Sequence, residues 1–217
     1  MSWNATPTGW WTHTDLEAQE NANEIWGVLG GIGWSKQAVC GVLGNFGQES
    51  GYNPWKWEGN VILASTDPLI DTPPSQIPGN NKHGYGLGQF TPAGKYVHSQ
   101  YSPSYAGYGP NYADITGNPN DGNAQLLFID EHADYIPTSS YNWSYSEYKH
   151  KTSETVDTMV QAWFANYERG VPSQANMPYR ISEGTFWFNF LPDVPPTPGP
   201  TRRKGMPLWM MTIPYKN

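Results

Sequence analysis

Apolar positions along the chain fall into separate stretches of helical spacing, divided by a long run without any period. Thr14 to Glu17 reads T-x-x-E, a capping box, and predicts a helix to about Leu29 with Leu16, Ile25, Trp26 and Leu29 inward. "GGIGW" stops it. Ser35 is placed to cap a second helix, where Val39, Val42, Leu43 and Phe46 follow the i, i+3, i+4, i+7 pattern of one buried face. Gly51 suits the position just past its end.

A third helix is predicted from about Gly122 to Tyr135. The clearest begins near Ser153, where Val156, Met159, Val160, Trp163 and Phe164 form one apolar stripe that Tyr167 extends. A final short helix covers Ser182 to Phe190. Residues 52–118 are rich in Pro, Gly, Asn and Tyr and carry no sustained period; "EGNVILAS" reads as a short strand and "GYGLGQFTP" as a loop. Residues 1–13 read as an irregular arm. From Pro192, "PDVPPTPGP" reads as a stiff extended linker, followed by a basic cluster and the apolar, Met-rich end "MPLWMMTIPYKN". The pattern therefore predicts a mainly α domain over 14–191 with a long irregular or short-β insertion, and a separate tail over 192–217. Within the insertion, 58–83 has few secondary-structure signals.

Composition changes this picture in one respect. Charged residues make up 14% of the 217, aromatic residues 15%, and eleven of the latter are Trp; average chains carry about 25% charge. Part of that aromatic content is core, and the excess points to flat, neutral ligands. The net charge of −7 argues against a nucleic-acid groove. Cys40, the single cysteine, excludes an internal disulfide and cysteine-cluster zinc. The five His residues (His13, His83, His98, His132, His150) match no metal-ligand spacing, so neither a metal nor any other cofactor is expected. No apolar run is long enough to span a membrane, and the N-terminus has no basic-then-apolar leader, which predicts delivery by some route other than signal-peptide export.

Candidate chemistry centres on "GNFGQESGYNPW". Glu49 falls at the rim of the second helix's apolar stripe and in its last turn, where the macrodipole is negative. Both features disfavour the charged form and predict a raised pKa. An acid that keeps its proton near neutrality can protonate a leaving oxygen. The plain alternative is a surface Glu on a fraying helix end; the aromatic turn that follows weighs against it. Gly41, Gly44 and Gly47 each cost about 1 kcal/mol relative to Ala in a helix interior, so something approaches that side closely, a neighbouring helix before a ligand. In "GYGLGQFTP", Gln89 offers an amide suited to sugar hydroxyls, flanked by Tyr85 and Phe90. In "AWFANYERG", Tyr167 either binds a ligand or closes the core.

These clusters, as "GWSKQAVCGVLGNFGQESGYNP", "GYGLGQFTPAGKY", "MVQAWFANYERG" and "FWFNFL" in that order, resemble the phage tail lysozyme family. More distantly the pattern is similar to goose-type lysozymes and lytic transglycosylases. The resemblance covers roughly Thr14 to Leu191. It implies a lysozyme-like, mostly helical fold with a cleft, and a peptidoglycan glycan strand as substrate, cut between N-acetylmuramic acid and N-acetylglucosamine. Glu49 matches the family's general acid. Gln89 and Tyr167 match groove positions, and Gln48, Ser50, Tyr85 and Phe90 are their neighbours as substrate-binding candidates. Glu58, Asp67 and Asp71 are candidates for a second carboxylate, although each also reads as a solvated loop charge.

Hydrolysis, closure by the sugar's own 6-hydroxyl as in lytic transglycosylases, a free endolysin, and a non-catalytic virion protein all remain open at this point. The tail is expected to dock on another virion protein through Trp209, Met210 and Met211.

Overall fold

The computed structural model describes residues 3–6, 9–56, 84–90, 121–170 and 175–196. Glu58, Asp67, Asp71, the strand expected at "EGNVILAS", most of the irregular 52–118 stretch and the tail from 197 on lie outside the described residues.

The described chain is helical: α1 (Leu16–Gly31), α2 (Lys36–Glu49), α3 (Gly122–His132), α4 (Tyr145–His150), α5 (Val156–Trp163) and α6 (Met177–Phe190). The last turn of α5 continues as a π-helix over Phe164–Glu168. This is the mainly α architecture that the apolar pattern and the family resemblance predicted.

Helix α2 is the central rod. Ser35 caps it by accepting the Ala38 N–H, and Val39, Val42, Leu43 and Phe46 are fully buried. Its glycine side is buried as well, and the close neighbours there are helices. A Cβ on Gly41 would meet the Met159 backbone at 2.9 Å; one on Gly44 would meet the Arg180 carbonyl at 2.5 Å. With Gly184 opposite, these glycines let α5 and α6 pack backbone-to-backbone against α2, and this close packing offsets their poor helix propensity.

Helix α1 differs from expectation at its start. Asp15, not Thr14, occupies the cap position, and it makes no side-chain cap bond to the helix. Its carboxylate instead accepts from the Thr12 N–H at 2.8 Å, and Thr14 is engaged with the Thr12 hydroxyl. With the register set from Asp15, Leu16 is 65% exposed rather than inward, while Ile25, Trp26 and Leu29 are buried as expected. Among the described residues a capping box is found at Ser144 and Glu147, where it starts α4. Helix α6 begins five residues before the expected Ser182. Pro178 falls in its first turn, which tolerates proline.

The described residues of both flanking segments pack on the helical body. The Trp3 indole donates to Asn123 at 2.9 Å, and Asn53 donates to the carbonyls of Thr6 and Gly9 at 2.7 and 2.8 Å. At the other end the Trp26 indole donates to the Pro192 carbonyl at 3.0 Å, and Pro195 and Pro196 lie against Gly30 and Gly27 of α1.

Aromatic residues supply much of the core. Trp34, Tyr135, Tyr145, Tyr148, Trp163 and Tyr167 form one continuous group of ring contacts, ending in Tyr167 stacked on Trp163 at 4.4 Å. Much of the aromatic surplus is therefore packing.

Candidate active site

The end of α2 places Glu49 at the protein surface with its side chain 24% exposed. Ser50 closes the helix: its N–H and its hydroxyl both donate to the Phe46 carbonyl. Gly51 and Tyr52 then take left-handed conformations, φ 58° and 62°. Gly51 pays nothing for this, whereas Tyr52 adopts it at a cost. That turn sends Tyr52 inward, where its hydroxyl donates to Glu183 and accepts the Trp187 indole N–H at 2.7 Å. Glu183 is buried and also meets His13 Nδ1 at 2.6 Å, so this network ties the N-terminal arm, the α2 turn and α6 together.

Glu49 is paired with Arg180 of α6. The guanidinium is buried and held on every side. Its Nε donates to the Ala175 carbonyl at 2.6 Å, its Nη1 donates to Asn45 Oδ1 at 2.9 Å, and the Phe164 ring lies 5.0 Å from its centre. Nothing in the sequence around Glu49 announced this cation, which comes from α6.

The acid kept protonated by its surroundings is Glu168. Burial pushes its carboxyl up to about 8, with the charge of Glu49 adding to the rise, and Arg180 and the Trp163 indole opposing it. Glu168 is partly exposed as a residue; the carboxyl end is the desolvated part. The π turn accounts for its position. An i→i+5 ring, closed by the Arg169 N–H on the Phe164 carbonyl at 2.8 Å, brings Glu168 back over Trp163, whose indole donates to it at 3.2 Å. Arg169 ends the turn in the left-handed region, φ 53°.

The loop 84–90 borders the same region. Gly86 (φ 77°) donates to the Lys56 carbonyl, and Leu87 donates to Gln125 Oε1 at 2.8 Å. Gln125 in turn donates to the Pro54 carbonyl at 2.7 Å. This one buried amide of α3 therefore joins the "ESGYNP" turn to the "GYGLGQ" loop. Gly88 lies 3.6 Å, measured from a Cβ built there, from the Tyr167 hydroxyl.

Of the expected substrate-binding residues, Gln48, Gln89 and Tyr167 are partly exposed, whereas Ser50, Tyr85 and Phe90 are buried. Gln48 accepts from Asn176 at 2.8 Å. Gln89 is left-handed, φ 44°, and its amide donates inward to the carbonyls of Gly86 and Lys56. Sequence reasoning missed Arg180, Glu168, Asn45 and Gln125. Glu168 stood in a quoted motif, yet helical periodicity gave no reason to turn it inward.

Among the described residues no group of His, Cys, Asp and Glu is arranged to hold a metal, and no helix is long and apolar enough to cross a membrane. The model of the phage tail lysozyme family matches residues 20–191. The chain belongs to that family. It is also 31% identical over 180 residues to morphogenesis protein 1 of Bacillus phage B103. The match covers 81% of this chain and 40% of that relative, so the chain spans well under half the length of the phage protein it resembles. Glu49, Gln89 and Tyr167 all lie inside the family match, as do Glu168 and Arg180.

Proposed function

We propose that this phage tail lysozyme family member is a muramidase. It cuts the β-1,4 bond between N-acetylmuramic acid and N-acetylglucosamine, and it is carried on a phage tail to open the wall locally during infection. The observation that carries the reading is Glu49: a part-exposed carboxylate at the end of α2, fixed by a buried arginine, inside the family match.

In this reading Glu49 gives its proton to the bridging oxygen as the C1–O bond breaks with its electron pair on oxygen. Water then adds at C1 and returns a proton to the site. The oxocarbenium-like centre between these steps is what the site must stabilise. Gln48, Gln89 and Tyr167 are the exposed members of the wall that would meet sugar hydroxyls and faces, with Ser50, Tyr85 and Phe90 supporting them from behind. An acidic protein gains no long-range attraction to an anionic wall, and placement by a tail makes such attraction unnecessary.

Glu49→Gln tests the assignment, because it removes the acid and keeps the shape. The purified variant is expected to lose clearing of cell-wall suspensions at every pH while melting as a folded protein. Clearing equal to the parent would remove Glu49 from the mechanism.

A further inference from the structure

The turn that carries the acid and the loop that carries Gln89 are joined through one side chain, to which the muramidase reading gives no task. Gln125, in the first turn of α3, is fully buried. Its amide nitrogen donates to the Pro54 carbonyl at 2.7 Å, and its amide oxygen accepts the Leu87 N–H at 2.8 Å. Pro54 lies five residues after Glu49, and Leu87 two residues before Gln89. We propose that Gln125 is a positioning residue for glycan cleavage: it sets the separation between Glu49 and Gln89, so that acid and sugar-binding amide engage one strand together. Gln125 touches no substrate atom in this scheme.

The chemistry of the amide suits the task. A backbone N–H can only donate and a carbonyl can only accept, so the two partners together admit a single orientation of the Gln125 amide. Both partners belong to turns, where no helical ladder holds the backbone in place. The loop comes so close that a Cβ on Gly86 would run into the Gln125 amide. Gly86, at φ 77°, permits both that approach and the left-handed turn. A core filler of the same size would be apolar, because a buried amide is costly unless it is bonded. The amide at this position serves two backbone groups that lie 71 and 38 positions away from it.

A direct tie between the two segments does a different job. The Lys56 carbonyl accepts the Gly86 N–H at 2.8 Å and the Gln89 amide at 3.2 Å. That tie fixes the loop to the turn, whereas Gln125 fixes both to the helical body. The start of α3 is itself held twice: Asp121 accepts the Asn123 N–H at 2.9 Å, and the Trp3 indole donates to Asn123 Oδ1 at 2.9 Å. Glu49 is referred to the same body through α2 and Arg180. The two routes meet at α1, which packs against α2 and α3 alike. A displacement of about 1 Å between groups that act together costs on the order of 100-fold in rate, so a slack brace shows in turnover before it shows in the fold.

This inference rests on the muramidase reading, and its test separates the two. Initial rates on soluble, uncrosslinked glycan strands are measured at pH 5 and pH 8 for the parent, Gln125→Met, Gln125→Glu and Glu49→Gln. Each is checked for folding by thermal melting, and amide hydrogen exchange is followed at Leu87. Gln125→Met keeps the length and makes neither bond. It is expected to melt as a folded protein, to exchange Leu87 at least tenfold faster than the parent, and to lose at least tenfold in kcat/KM. In Gln125→Glu the protonated carboxyl restores both bonds, its carbonyl accepting from Leu87 and its O–H donating to Pro54. At pH 5 this variant should return to within threefold of the parent. A folded Gln125→Met within twofold of the parent in kcat/KM overturns the proposal. So does Gln125→Glu no better than Gln125→Met at pH 5, because the loss would then not follow the two bonds. If Gln125→Met does not fold, Gln125→Glu at pH 5 decides: recovery within threefold supports the proposal, and a larger deficit overturns it. A fully active Glu49→Gln removes the muramidase assignment instead, and the Gln125 variants still show whether the brace serves turnover.

Discussion

The Arg180 guanidinium pairs with the Glu49 carboxylate across the seam of α2 and α6, and it does so from a buried position while Glu49 stays part-exposed. Arg180 is thus the buried partner that holds Glu49. Its other donors serve Ala175 and Asn45, so removing it strips four residues of a partner at once. Arg180→Ala is expected to cost about 3–5 kcal/mol, roughly 6–20 °C in Tm for a domain of this size. Arg180→Lys cannot reproduce the fork and should recover little. Calorimetric melting of both variants checks this; a Tm within a degree of the parent would contradict it.

Close packing on the glycine side of α2 makes a second prediction. A Cβ at Gly44 meets the Arg180 carbonyl at 2.5 Å and Val160 Cγ2 at 2.9 Å. The first neighbour is backbone and cannot swing away. Gly44→Ala should therefore destabilise by about 1–3 kcal/mol, despite the better helix propensity of alanine. Gly88→Ala, whose nearest contact would be 3.5 Å, should stay within about 0.5 kcal/mol. Urea titration of both variants separates overpacking from propensity.

Glu168 also leaves a signature in stability. Its folded pKa, about 8, lies above the ordinary value of 4.5. The protein therefore holds this proton more tightly than the unfolded chain does. That contribution is fully present below 4.5 and is lost as the pH rises through 8. Glu168→Gln keeps a neutral group there at every pH. The variant should match the parent near pH 4 and exceed it in stability above pH 8. Parallel denaturation curves with a constant difference across that range would contradict the assignment.

The buried tyrosines set the alkaline edge of the fold. Tyr52, Tyr145 and Tyr148 are each raised well above their ordinary value of 10, chiefly by burial. Since the unfolded chain releases these protons first, stability is intact below pH 10 and falls as the pH rises beyond it. Tyrosinate absorbance from these side chains is expected to appear only together with loss of helical circular dichroism. Full tyrosinate absorbance from a still-helical protein would contradict the buried network.

The helices were legible in the sequence wherever one apolar face decided them. Val39, Val42, Leu43 and Phe46 named the buried side of α2, and the glycines opposite correctly announced close neighbours. The start of α1 was misread because Thr12 takes the Asp15 carboxylate, a local bond that shifts the cap by one residue. The start of α6 was hidden by Pro178 and by Asn176, whose side chain goes to Gln48 rather than to the helix. At the site, Glu49 stood out by its own motif. Arg180 lies 131 positions away, and nothing local in the sequence joins the two. Glu168 was invisible for a different reason: helical arithmetic assumes 100° per residue, and the π turn breaks that assumption where it matters.

The most direct test of the central claim is mass spectrometry of peptidoglycan digested by the purified protein. Glycosidic hydrolysis with Glu49 as the acid predicts fragments ending in reducing N-acetylmuramic acid, absent from a Glu49→Gln digest. Ends in 1,6-anhydro form would contradict water as the attacking group. Free amino groups on the stem peptides, with intact glycan strands, would contradict glycosidic cleavage altogether.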